Sequence, residues 1–157
     1  MTAVLTGVVA GLLGTLAMDL LNGLVARTGM FLKTDVRMIG RMAAGWRRGR
    51  FRYRSPEEME PVDAERMYGF AAHYLIGVGL AVPFVLGWSV FIGGEVSPAW
   101  ALAYGIATTA ASWFLVYPSM GLGALGIRSP DGCRAVLTPL ANHFFYGAGL
   151  AIGIVLM

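Results

Sequence analysis

Three side chains can hold or move a proton within otherwise apolar stretches of this sequence: Asp19, His73 and His143. An ionisable group buried in a membrane span costs at least about 2.5 kcal/mol on insertion, so it turns toward the protein interior and marks function by default. A carboxylate between two imidazoles would hold Asp19 ionised while at least one histidine carries a proton near neutral pH. That is the equipment of a proton-coupled or small-solute site. The same three groups also suit a divalent transition metal with an open position. Two histidines on opposing helices would equally serve as axial ligands of a b-type haem, with Gly69, Gly77 and Gly147 leaving room for a porphyrin.

These groups need rods to carry them, and the composition supplies four. Of 157 residues, 57% are apolar and 13% charged, about half the charged share of soluble proteins. Of the 21 charged residues, 16 fall between Arg27 and Arg66. A water-soluble domain is excluded. Four runs, residues 4–26, 67–92, 98–117 and 136–157, reach the roughly 20 apolar residues that cover about 30 Å of hydrocarbon. They are too long for barrel strands and lack period-two alternation. The expected fold is an all-α membrane protein, a four-transmembrane-helix bundle forming one domain over residues 1–157. The first run has no basic stretch before it and outlasts the apolar core of a signal peptide, so it is expected to stay attached.

All but two of the twelve basic residues lie in the first loop, 27–66, and the others, Arg128 and Arg134, lie in the third. Four passes put those loops on one side. The positive-inside rule then places them in the cytoplasm and both termini outside. Arg47, Arg48, Arg50, Arg52 and Arg54 alternate with aromatic residues, but beside a membrane such a run meets anionic lipid headgroups, at roughly 1 kcal/mol per charge, rather than nucleic acid. Glu57, Glu58, Glu60, Asp63 and Glu65 follow and are able to fold back onto it. Val36, Ile39, Met42 and Trp46 recur at helical spacing, which predicts a short amphipathic helix lying in the headgroup layer.

Counting about 1.5 Å per residue from the cytoplasmic ends places Asp19, His73 and His143 in one layer, roughly 9 to 11 Å deep. Small or polar residues spaced by three and four share a helix face with them. The first span offers Gly11, Thr15 and Asn22; the second offers Gly69 and Gly77. The third contributes Gly105, Thr108, Thr109 and Ser112, and the fourth Thr138, Asn142 and Tyr146, continued by Gly149 and Gly153. Thr15, Asn22, Ser112, Asn142 and Tyr146 complete the expected ligand-binding set. Gly7/Gly11 and Gly149/Gly153 have the spacing that lets helix backbones approach closely. Pro83 frees the carbonyl of Gly79, and Pro139 that of Ala135. The single cysteine, Cys133, excludes an internal disulfide. Ser112 near His143 is the one nucleophile and base pair, resting on depth alone, and no catalytic residue is assigned.

Asp19 within Ala17-Met18-Asp19-Leu20, Gly40-Arg41, Gly49-Arg50-Phe51-Arg52, His73-Tyr74 with Gly77, Tyr117-Pro118-Ser119-Met120-Gly121 with Gly123, and His143 with Tyr146-Gly147 together resemble a family of small bacterial four-pass inner-membrane proteins. That family is a domain of unknown function, so the resemblance implies a fold and a compartment and carries no activity. It also implies a histidine after the Gly-Arg-Phe stretch, where this chain has Tyr53-Arg54. The function expected from the residues is binding of a proton, ion or small polar ligand at the Asp19, His73 and His143 cluster, in a transport-like role. The alternatives are a structural or accessory subunit of a homo-oligomer or larger membrane complex, and a metal- or haem-binding protein.

Overall fold

The computed structural model describes residues 2–157, and the regular elements among them are all helical. Helix α1, Ala3–Val25, is built from leucine, valine and alanine, and its closing turn ends at Gly29, whose φ of 75° an L side chain rarely adopts. Helix α2, Val36–Arg47, starts where the Asp35 carboxylate accepts from the Arg37 amide. Helix α3 spans Glu65–Phe91 with Pro83 inside it. Helix α4 begins with Ser97 as cap and Pro98 in its first turn, then runs to Ser119 through a wider π-helical turn at Ser112–Val116. Helix α5, Cys133–Val155, contains Pro139. Apart from α2, all are long and apolar enough to cross a membrane, and their ends lie within one helical turn of the expected spans.

Around the bundle the order is α3, α1, α5, α4. Burial in lipid gives helices no hydrophobic reason to associate, so van der Waals contact between close backbones must hold them. Glycine makes that contact on three sides. A Cβ on Gly11 would lie 2.7 Å from the Val78 Cα, one on Gly149 would lie 2.6 Å from the Leu13 carbonyl oxygen, and one on Gly105 would collide with the Gly147 backbone. The fourth side differs. Helices α3 and α4 meet through large aromatic rings: Phe84 stacks on Tyr104 at 4.1 Å, Trp88 lies 5.9 Å from Trp100, and the Tyr104 hydroxyl donates to the Leu80 carbonyl at 2.8 Å. These rings close the end far from α2. Toward α2 the space between α3 and α4 remains a cavity.

Helix α2 corrects one expectation. Its apolar face is not turned to the headgroup layer but onto the end of the bundle, where Met42 is fully buried with Tyr53, Met59 and Met120, and Met38, Ile39 and Trp46 pack beside it. The cause is a close crossing with α3: Gly40 abuts the Glu65 carbonyl and Gly69 abuts that of Val36. Arg41 Nε then donates to Glu65 Oε2 at 2.7 Å, which raises the guanidinium pKa above its ordinary value. The following loop is pegged at Ser119, whose hydroxyl donates to the Phe51 carbonyl at 2.6 Å and accepts from Trp46 Nε1 at 3.1 Å.

Candidate intramembrane site

The cavity between α3 and α4 has a volume of about 260 Å³, and α1 and α5 complete its wall. Met18, Ile76, Leu80 and Val116 make much of that wall apolar, and Met38, Ile39 and Met42 of α2 cap it. Among the expected site residues, Thr15, His73, Ser112, Asn142, His143 and Tyr146 line it. Asp19 does not. It stands behind His73, with Oδ1 3.2 Å from the imidazole Nδ1, both side chains largely buried. The two are close enough for an ion pair but off the hydrogen-bond line, so Asp19 Oδ2 and His73 Nδ1 have no hydrogen-bond partner among the described residues.

His143 is fixed by two hydroxyls. Its Nδ1 lies 2.8 Å from Thr108 Oγ1 and its Nε2 lies 2.9 Å from Ser112 Oγ. Thr108 spends its own proton on the Gly105 carbonyl at 2.6 Å. It therefore accepts from His143, which assigns the ring proton to Nδ1 and turns the Nε2 lone pair to the Ser112 hydroxyl. The Tyr146 hydroxyl donates to the Gly77 carbonyl, and Thr15 donates to that of Gly11 at 2.9 Å. Both hold backbone together. The Ala135 carbonyl that Pro139 frees is taken by the Tyr117 hydroxyl at 2.8 Å.

Asn22 and Asn142 belong to a plug that the sequence did not reveal. Asn22 Nδ2 donates to Asn142 Oδ1 at 2.9 Å and to the Leu32 carbonyl at 3.0 Å, while its Oδ1 accepts from the Thr34 amide at 3.0 Å. Thr138 accepts from the Leu32 amide at 2.9 Å, and Asn142 Nδ2 donates to Thr34 Oγ1 at 3.2 Å. Residues 32–34 are thereby drawn from the loop into the bundle, where Leu32, Lys33 and Thr34 line the cavity. The only signal for this in the sequence was three amide or hydroxyl side chains in excess of what two helices need for packing.

The expected metal set is not assembled. Among the described residues no three His, Cys, Asp or Glu side chains are grouped to hold an ion. His143 has Nδ1 committed to Thr108 and Nε2 turned to Ser112. Of the arginine run, Arg50 pairs with Glu58 at 2.8 Å and lies 4.2 Å over the Tyr53 ring. Arg47, Arg48, Arg52 and Arg54 are exposed.

Residues 8–157 match the model of a family described as protein of unknown function (DUF2938). The chain belongs to that family. No curated protein and no solved structure matches it.

Proposed function

We propose that this family member binds one small amphiphile inside the membrane, its apolar body against Met18, Ile76, Leu80 and Val116 and its polar head between His73 and His143. The observation that supports this is two imidazoles on one otherwise largely apolar wall. Pockets for small molecules combine such a wall with a few placed polar groups. A bare ion or a fully polar solute would leave the apolar wall unused. An imidazole N–H is a hydrogen-bond donor, so the head recognised is one that accepts a hydrogen bond, such as a carbonyl or carboxylate. The test is a photoreactive fatty acid irradiated with the protein in nanodiscs. Cross-links on Ile76, Leu80 or Val116 that weaken in His73→Ala support the reading. Cross-links confined to outward residues such as Leu75 and Val90 overturn it.

We further propose a bacterial inner membrane, as the resemblance implies, with the arginine loop in the cytoplasm and both termini outside on the strength of the charge asymmetry between loops. Cys133 is exposed at the start of α5 and is the chain's one cysteine. A membrane-impermeant maleimide should label it in inverted vesicles and spare it in spheroplasts; the reverse pattern would invert the topology. In that orientation the exposed arginines meet anionic lipid.

A further inference from the structure

We propose that Ser112 is a nucleophile and His143 its general base, and that the cavity cleaves an acyl ester. This rests on the amphiphile reading and deepens it by naming the substrate class. Three observations carry it. Ser112 Oγ lies 2.9 Å from His143 Nε2, the reach a proton transfer needs. Thr108 holds the opposite ring nitrogen at 2.8 Å with its own proton already committed to Gly105, so the lone pair of Nε2 faces the serine. The pair opens onto a largely apolar cavity, and Ser112 stands at the first position of the π-helical turn, a local widening that occurs often at functional sites. A nucleophile, a base and a group that orients the base are the working parts of covalent acyl transfer.

The steps balance with water as the only co-reactant. Ser112 Oγ bonds to the ester carbonyl carbon while its proton passes to His143 Nε2. The carbonyl π pair moves to oxygen and makes an oxyanion, to which His73, on the same cavity, is proposed to donate. The oxyanion pair returns, the bond to the alcohol oxygen breaks, and that oxygen takes the proton from Nε2. Water then attacks the acyl-serine, loses its proton to Nε2, and the Ser112 oxygen leaves and recovers it. The products are the alcohol and the free acid. Thr108 is a positioning residue: it fixes the tautomer and touches no substrate.

The full-length protein in nanodiscs is treated with an alkyl fluorophosphonate, which traps an activated serine with loss of fluoride, and is then mapped by mass spectrometry. One adduct on Ser112 is expected, absent in Ser112→Ala. Labelling should slow about 100-fold or more in His143→Gln, the range a general base contributes. Thr108→Val should shift the pH profile of labelling and Thr108→Ser restore it; Lys33, Asp35, His73, Tyr117 and Tyr146 are the other titratable groups facing the cavity. Wild-type protein that shows no Ser112 adduct, yet still cross-links the photoreactive fatty acid in the cavity, overturns the nucleophile and leaves the binding site. Loss of both signals overturns both readings.

Discussion

Asn22 Nδ2 donates to Asn142 Oδ1 at 2.9 Å across 120 residues of sequence, and while Asn22 grips the backbone at Leu32 and Thr34, Asn142 donates to the Thr34 hydroxyl. One polar knot therefore ties α1 to α5 and sets the floor of the cavity. Replacing Asn22 by Leu removes the donors and acceptor together and leaves Asn142 buried without its partner. A loss of about 1 to 3 kcal/mol is expected for an orphaned buried group. Amide exchange at residues 32–34 should quicken while that in the middle of α3 stays slow; unchanged exchange at the plug would mean the knot carries no load.

Gly77 and Gly79 share a helix but face different surroundings. A Cβ on Gly77 would collide with the Thr15 hydroxyl, whereas nothing lies within 4 Å of one on Gly79. Gly77→Ala should cost about 1 to 3 kcal/mol as an overpacked contact. Gly79→Ala should be neutral or stabilise by up to about 1 kcal/mol, since alanine restricts the unfolded chain. Thermal unfolding of the two variants in one detergent separates them.

Tyr117 matters because of Pro139. Its hydroxyl caps the carbonyl of Ala135, which a helical amide at position 139 would otherwise occupy. Tyr117→Phe should cost about 1 kcal/mol. In a Pro139→Ala background the restored amide takes that carbonyl and most of the cost should vanish, which a double-mutant cycle measures directly.

Arginines in the loop divide into two kinds. Arg41 is tied to Glu65 and clamps α2, while Arg47, Arg48, Arg52 and Arg54 stand exposed. Arg41→Gln should speed amide exchange along α2 and leave lipid preference alone. Neutralising Arg47 and Arg48 together should do the opposite, lowering affinity for anionic over zwitterionic lipid by roughly 1 kcal/mol per charge. Native mass spectrometry with defined lipids reads the second effect.

Four helices, their ends and the inward turn of His73 and His143 were legible in the sequence, because a membrane demands long apolar rods and makes any ionisable group on them conspicuous. The glycine contacts were legible at Gly11 and Gly149, where spacing by four marks a close face. The placement of Asp19 was legible only in part: it meets His73 but from outside the cavity, a rotation that helical periodicity resolves too coarsely to distinguish. The inward face of α2 was misread, since an amphipathic pattern does not say whether lipid or protein covers it. The plug was legible from one side only: Asn22, Thr138 and Asn142 stand at helical spacing, but the loop answers them largely with the backbone of Leu32 and Thr34, groups that every residue possesses.

Three sides of the bundle are backbone against backbone and cannot part without breaking many contacts at once. The seam between α3 and α4 is made of ring faces and one hydroxyl bond, groups that rotate about single bonds. For the amphiphile proposed above, that seam is the lateral way in, and capture would follow its partitioning into the bilayer rather than its concentration in water.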